Sequence, residues 1–168
     1  MSTLWQQAAS FAANAHKHQT RNDGTPYVAH PFRVAMTVSL RFGNADEEVL
    51  AAALLHDVIE DCDVDYDDLC ESFGSRVADL VAVMTKDMRL EETIREVAYD
   101  KQLADGPWEG RLIKLADVYD NFVDADSDHM KSKMKVRASR ILTLTQGDDC
   151  LQKARQELIG LVEGAKAC

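Results

Sequence analysis

The sequence predicts an all-α fold in which residues 1–168 form one domain. Apolar residues recur at the spacing of amphipathic helices along most of the chain, and the alternation typical of half-buried strands is nearly absent. The three prolines lie near loop-like segments, and no internal repeat or low-complexity tract interrupts the pattern. A chain of this length buries an apolar core without disulfides or a structural zinc ion.

Nine helices are expected, and the first three have clear start and stop residues. We place them at residues 3–18, about 31–41 and 47 to about 59. The turn formers of the loop QTRNDGTPYVAHP separate the first two, and Pro31 suits the first turn of the second. Gly43 ends the second helix, and Asp46 is the expected N-cap of the third.

Six further helices are expected after a short acidic segment. We place them at residues 66–73, 75–84, about 90–103, about 109–125 and, as a pair divided at Gly147, between 131 and 166. Asp65 is the expected N-cap of the first of these, and Gly74 ends it. The acidic run Asp63 to Asp68 is expected to be a solvated turn rather than a calcium loop, because it lacks the glycine and the closing glutamate of such loops.

Charge and cysteine usage restrict the class of protein. The formal net charge of -10 argues against a nucleic-acid partner, whereas a small phosphorylated nucleotide remains compatible if a bound divalent metal offsets the acidic surroundings. The cysteines are scattered without a CxxC pair, and no secretory leader is evident, so we expect a cytoplasmic protein. No apolar stretch approaches membrane-spanning length, and the oligomeric state is left open.

The string HDVIED within LLHDVIED follows the apolar stretch VLAAALL directly and places four polar groups at the end of a buried helix. These groups are His56, Asp57, Glu60 and Asp61. Carboxylates removed from water cost several kcal/mol unless they are paired or bound to a cation, so the cluster indicates a metal or a polar pocket. The alternative is a helix end whose acids face solvent.

Two other residues are candidates to complete a metal site with this run. His30 begins the second helix after a loop that fixes its direction, and Asp117 lies inside the apolar run LIKLADVY, one turn before Asn121. Taken alone, His30 could be a helix-start histidine, and Asp117 could pair with Lys114 or Arg111. Together, two imidazoles and two carboxylates would leave coordination positions open, as in catalytic Mn, Fe, Zn or Co sites.

Three stretches carry a family resemblance. They are AHKHQTRNDGTPYVAHPFRVA, AALLHDVIEDCDVDYDDLCESFGSRVADLVAVMTK and RLIKLADVYDNF, and they cover most of residues 8–124. The RxxGTPYxxHP loop and the HDVIED string together resemble HD-domain hydrolases of the RelA/SpoT type, which remove pyrophosphate from the 3′ position of the alarmone (p)ppGpp. The chain is similar to stand-alone small alarmone hydrolases of the metazoan type, because its length leaves no room for synthetase and regulatory domains.

The resemblance implies a compact all-helical HD-domain fold and specific residue roles. The implied ligands of a divalent metal, usually Mn²⁺, are His30, His56, Asp57 and Asp117. Glu60 and Asp61 match the acidic pair that activates or positions the attacking water, and Arg21 matches the loop arginine that lies against guanine. The expected substrate contacts are Lys17, Arg21, Asn22, Lys114, Asn121 and Asp124, with Arg33 as a further source of positive charge.

The sequence also departs from the pattern of this family. Where members often read ADRxHN or ADKxYN, this chain reads ADVYDN, so that Val118 and Asp120 replace a basic residue and a ring. Asn22 stands where long members often carry lysine. These changes predict a less cationic site. They keep open two alternatives: hydrolysis of another small nucleotide, such as NADPH or a nucleoside phosphate, and alarmone binding without catalysis.

Overall fold

The computed structural model describes residues 2–164, and helices dominate this part of the chain. The α-helices are α1 Leu4–Ala15, α2 Ala29–Met36, α3 Glu47–Leu55, α4 Val58–Asp61, α5 Tyr66–Phe73, α6 Ser75–Met84, α7 Glu92–Asp105, α8 Trp108–Val123, α9 Asp128–Leu144 and α10 Gln152–Gly164. A π-helical segment, Thr37–Phe42, extends α2, and a 3₁₀ turn, Asp149–Leu151, precedes α10. The predicted all-α fold is confirmed.

Most predicted helix boundaries agree with the structure because the capping residues act as expected. Asp46 accepts a hydrogen bond from the backbone N–H of Glu48 at 2.9 Å. Asp65 and Asp68 form a reciprocal capping box at the start of α5. Gly43 has φ 81°, a left-handed conformation that ends the π-helical segment and that other residues rarely adopt.

The expected third helix, residues 47–59, is wrong as one continuous element. It divides at His56 and Asp57, so that α3 ends at Leu55 and α4 begins at Val58. His56 Nδ1 bonds the carbonyl of Ala53 at 2.8 Å, and a side chain that bonds a carbonyl of the preceding turn competes with the regular helical pattern. The sequence pattern could not show this local competition.

Other boundaries differ by a few residues. α1 ends at Ala15 rather than His18, and α9 begins at Asp128 rather than Lys131. The expected end of the last helix, Lys166, lies outside the described residues, as does Cys168.

The site is positioned by two helices at the centre of the fold. α3 packs against α1, α2 and α6, and its residues Ala51 to Leu55 are all buried. α8 packs against α2, α6, α9 and α10. It carries two buried acids, Asp117 and Asp120, among mostly apolar buried residues. The end of α3, the start of α2 and the middle of α8 therefore meet. Between residues 2 and 164, no helix has the length and hydropathy needed to cross a membrane.

Candidate metal centre

Three elements bring the four expected ligands together. His30 lies in the first turn of α2, His56 and Asp57 form the break between α3 and α4, and Asp117 lies on α8. His30 Nε2 is 3.2 Å from Asp117 Oδ1 and 3.7 Å from Asp57 Oδ2. His56 Nε2 is 3.1 Å from Asp57 Oδ2 and 3.9 Å from Asp117 Oδ1. Each imidazole nitrogen thus lies within 3.9 Å of a carboxylate oxygen from both aspartates, so the two nitrogens face the same point.

In each histidine, a hydrogen bond at Nδ1 orients the imidazole so that Nε2 faces the candidate metal site. His30 Nδ1 is 2.7 Å from Asp120 Oδ2, and His56 Nδ1 is 2.8 Å from the carbonyl oxygen of Ala53. Because both neighbours are acceptors, each Nδ1 carries the proton and donates it. His56 Nε2 is buried and makes no hydrogen bond within the described residues. The inward nitrogens are therefore arranged as ligands.

The donor set fits a divalent metal. One atom each of His30, His56 and Asp117 lies within 4.8 Å of the other two, and Asp57 faces both imidazoles. Imidazole and carboxylate together suit Zn, Mn, Fe or Co rather than calcium, which prefers oxygen ligands alone. The geometry supports a divalent cation held by His30, His56 and Asp117.

The electrostatics of the site favour positive charge beside its carboxylates. Burial lowers the pKa of His30, but the hydrogen bonds that it donates to Asp117 and Asp120 outweigh this effect and raise the pKa to about 9. Burial also opposes the charge on Asp117, yet Lys114 and His30 hold its pKa well below the ordinary value. The acids beside His30 therefore favour its protonated form, so binding of a metal at its Nε2 would release a proton.

Glu60 and Asp61 line the same cavity, which has a volume of about 240 Å³. Burial raises the pKa of Glu60, and its Oε1 accepts a hydrogen bond from the backbone N–H of Lys86 at 2.5 Å. Asp61 is exposed, and its Oδ2 lies 3.1 Å from the Tyr27 hydroxyl. The two acids therefore differ in environment, because Glu60 is partly buried and Asp61 is exposed.

The expected substrate contacts fall into two groups. Arg21, Lys114 and Asn121 line the cavity, whereas Lys17 and Asn22 are exposed and are not among its lining residues. Lys114 Nζ is 2.7 Å from Asp117 Oδ2, so the ion pair considered for Asp117 exists together with the histidine cluster. Arg111 instead pairs with Asp148 at 3.0 Å.

Asp124 lies behind the arginine that lines the cavity. Its Oδ2 is 2.9 Å from Arg21 Nε, and Arg21 Nη2 donates to Asn121 Oδ1 at 3.0 Å. Asn121 Nδ2 donates in turn to Asp117 Oδ1 at 2.5 Å. Asp124 therefore orients Arg21. The side-chain amide of Asn121 connects Arg21 to Asp117, an expected metal ligand.

Sequence reasoning missed four residues of the site. Tyr27 and Asp120 contact the expected ligands, and Lys86 and Arg137 add positive charge to the cavity wall. Tyr27 and Asp120 each lie three residues from an expected ligand, which places them one helical turn or less away and could have indicated them. Lys86 and Arg137 come from distant elements and gave no local signal.

Residues 8–106 match the family model described as HD domain, which is more than half of the chain. The chain belongs to the HD-domain family. Over 162 residues, 90% of each protein, it is 35% identical to mouse guanosine-3′,5′-bis(diphosphate) 3′-pyrophosphohydrolase MESH1. Over 125 residues it is 39% identical to the MESH1 protein of Drosophila melanogaster, covering 73% of this chain and 70% of the relative.

Two solved structures are similar to this chain in fold. A structure described as a metazoan ortholog of SpoT that hydrolyzes ppGpp matches with a TM-score of 0.86 at 29% identity, covering 100% of this chain and 98% of the other. A Listeria monocytogenes structure matches with a TM-score of 0.67 at 28% identity, covering 83% of this chain and 99% of the other. The predicted resemblance to HD-domain hydrolases of the RelA/SpoT type is confirmed.

Proposed function

We propose that this protein is a metal-dependent hydrolase that converts (p)ppGpp to GDP or GTP and pyrophosphate. One observation carries the proposal: the Nε2 atoms of His30 and His56 lie next to two carboxylates, in a cavity that Glu60 and Asp61 also line. The similarity of the chain to alarmone hydrolases supports it. We further propose that one catalytic domain spans residues 1–168 and acts in the cytoplasm.

The proposed ligands are His30, His56, Asp57 and Asp117, and the proposed metal is Mn²⁺. When bound, such an ion would polarise a phosphoryl oxygen and lower the pKa of coordinated water to about 7. Asp57 Oδ2 also accepts a hydrogen bond from Tyr27 at 2.6 Å, which fixes the direction of that carboxylate.

Glu60 and Asp61 would orient the attacking water and remove its proton. Burial raises the pKa of Glu60, which makes this carboxylate a stronger base than an exposed glutamate, and the backbone N–H of Lys86 keeps it in place. In the proposed reaction, the water oxygen bonds to the phosphorus attached at the 3′ position. The bond from this phosphorus to the 3′ oxygen breaks, and the 3′ oxygen gains a proton.

Positive side chains of the cavity would hold the diphosphate groups and the base. Lys114, Lys86 and Arg137 line the wall, and Arg21 presents a planar guanidinium for stacking on guanine. Lys17 and Asn22 would contact the nucleotide only from the exposed rim, since they lie outside the cavity lining. Arg33 is held by Asp120 and Asp124, which reduces its availability to phosphate.

This pairing of Arg33 favours one second candidate, an HD-domain hydrolase for a less highly charged nucleotide. Asp120 neutralises a cation that the sequence analysis assigned to the substrate. NADPH and simple nucleoside phosphates carry fewer phosphate groups than ppGpp. A third possibility, alarmone binding without hydrolysis, predicts affinity for ppGpp with no turnover in any metal.

The deciding experiment compares substrates after metal reconstitution. Metal-free protein is loaded with Mn²⁺, Mg²⁺ or Zn²⁺ and offered ppGpp, pppGpp, NADPH and GTP, and the products are identified by chromatography. We expect pyrophosphate release from ppGpp and pppGpp, with Mn²⁺ the most active ion. Activity confined to NADPH or GTP would replace the alarmone assignment with the second candidate.

Variants of the proposed ligands test the metal centre within the same assay. We expect His56→Ala and Asp117→Asn to lose metal and to reduce turnover at least 10³-fold, roughly the scale on which catalytic groups that act as a unit fail. His129→Ala, on an exposed residue of α9, is the control and should keep both. Full metal content and full turnover in either ligand variant would contradict the proposal.

A further inference from the structure

Asp120 is a buried carboxylate that is hydrogen-bonded to His30 and Arg33. Its side chain lies on α8 one turn after Asp117, and the residue is 4% exposed. Oδ2 is 2.7 Å from His30 Nδ1 and 3.0 Å from Arg33 Nη2, and Oδ1 accepts from Arg33 Nε at 2.7 Å. This residue replaces the ring that the RelA/SpoT pattern carries at the same point of ADVYDN.

We propose that Asp120, held by Arg33, is a positioning residue that fixes His30 as a metal ligand and strengthens metal binding. The inference rests on the metal site assigned under the proposed function. A carboxylate that accepts the Nδ1 proton of a histidine fixes the tautomer and the ring orientation. It also makes the opposite nitrogen more basic, and in this protein that nitrogen points at Asp117 and Asp57.

Arg33 is needed because a lone buried carboxylate would be unfavourable. Its guanidinium donates two hydrogen bonds to Asp120, the bidentate geometry that stabilises a carboxylate most strongly. The Arg33 side chain is 40% exposed, so it reaches the buried acid from the surface. The same Nη2 lies 3.0 Å from Asp124, which also binds Arg21. One ion-pair network therefore supports both His30 and Arg21.

The two histidines consequently have unequal support. His30 has a carboxylate behind it, whereas His56 has the neutral carbonyl of Ala53. A charged acceptor increases the basicity of the opposite imidazole nitrogen more than a neutral acceptor does. We therefore expect this chain to draw more of its metal affinity from His30 than an HD-domain relative with a ring at position 120.

The test measures Mn²⁺ affinity without any nucleotide. Metal-free protein is titrated with Mn²⁺, and free ion is followed by electron paramagnetic resonance. We expect Asp120→Asn to raise the dissociation constant by about 10- to 100-fold, the scale measured for lost outer-sphere partners. Arg33→Lys keeps a positive charge but cannot form the bidentate pair, so it should raise the constant in the same direction by a smaller factor.

A matched control separates positioning from general stability. Asp148→Asn breaks another Asp–Arg pair, with Arg111 at 3.0 Å, that lies outside the metal cavity. Melting of each metal-free variant reports folding, and Arg33→Lys preserves the test if Asp120→Asn does not fold. Affinity of Asp120→Asn or Arg33→Lys within twofold of the parent would overturn the inference, as would an equal loss in Asp148→Asn. Normal Mn²⁺ binding with no ppGpp hydrolysis would contradict only the proposed function.

Discussion

Tyr27 places one hydroxyl between two acids with different proposed roles. The oxygen lies 2.6 Å from Asp57 Oδ2 and 3.1 Å from Asp61 Oδ2. Burial and the neighbouring charge of Asp57 raise the pKa of Tyr27, so the hydroxyl keeps its proton at any physiological pH. Because a phenol donates only one hydrogen bond, the shorter contact marks Asp57 as the acceptor and leaves Asp61 freer to move.

Replacing this hydroxyl should weaken the site without unfolding it. We expect Tyr27→Phe to lower turnover at limiting Mn²⁺ by about tenfold, because Asp57 loses the partner that fixes its direction. Steady-state rates across a Mn²⁺ series, with circular dichroism for helix content, measure the effect. Tyr66→Phe removes a similar hydroxyl–carboxylate contact, to Asp79 at 2.8 Å, and should leave the rates unchanged. Equal rates in Tyr27→Phe and the parent at every Mn²⁺ level would show that the contact is dispensable.

The sequence was sufficient to predict those site residues whose polar side chains lie within apolar segments. His56, Asp57 and Asp117 lie in apolar runs, where a polar side chain requires a reason, and the structure brings them together with His30. The supporting residues were not predictable in this way. Asp120 was expected to weaken the site by removing positive charge, but in the structure it bonds a histidine and an arginine, because its partners come from α2.

At the scale of whole helices, a glycine permits the close contact between α6 and α8. A Cβ atom on Gly110 would lie 2.8 Å from Val83 Cγ1, shorter than real contacts of this kind. Gly110 precedes Asp117 by two turns on the same face of α8, and Met84, at the end of α6, lines the metal cavity. The distance between α6 and α8 therefore affects the position of Asp117, a proposed metal ligand.

We expect Gly110→Ala to lower the free energy of unfolding by about 1 kcal/mol. Overpacking costs about 1–3 kcal/mol, and the better helix propensity of alanine offsets up to about 1 kcal/mol of this. Gly160→Ala on α10, where a Cβ meets nothing within 4 Å, should instead stabilise by about 0.5–1 kcal/mol. Urea unfolding measures both. Adding Val83→Ala to Gly110→Ala should remove much of the clash, and a purely additive double variant would argue against it.

Helix existence was predictable here, whereas helix continuity was not. Caps such as Asp46 and Asp65 are local signals, so the starts of α3 and α5 agree with the prediction. The division between α3 and α4 depends on His56 bonding Ala53, an interaction that hydrophobic periodicity does not register. Likewise, a pattern based on α-helical spacing could not predict that Thr37–Phe42 is π-helical.

For the molecule as a whole, the metal centre links stability to metal and to pH. In the metal-free protein, burial opposes protonation of His30, but its acidic partners raise the pKa from 6.5 to about 9. A group with a raised pKa contributes stability that is fully present below the unfolded value of 6.5 and is lost as the pH rises through 9. A bound ion substitutes for these protons, so its affinity should increase over the same pH range.

We therefore expect the metal-free protein to melt at a lower temperature at pH 9 than at pH 6.5. Mn²⁺ at 100 times its dissociation constant should add about 2.7 kcal/mol, which raises the melting temperature by about 5–10 °C for a chain of this size. At one fixed Mn²⁺ concentration, the increase should be larger at pH 8 than at pH 6, because the affinity for the ion is higher there, and EDTA should reverse it. Calorimetry with and without Mn²⁺ at each pH measures the effect, and His56→Ala, which lacks a ligand, is the control. A melting temperature insensitive to Mn²⁺ would contradict the metal centre.

The break between α3 and α4 has a further consequence for how two successive residues can serve one ion. In a continuous helix, neighbouring side chains diverge by about 100°. Asp57 instead adopts φ -104° and ψ -4°, and its Oδ2 comes within 3.1 Å of His56 Nε2. The two adjacent residues thus resemble a bidentate chelator, because a single peptide unit fixes the distance between their donor atoms. A one-residue insertion at this point would separate the two donors even if every other contact in the fold survived.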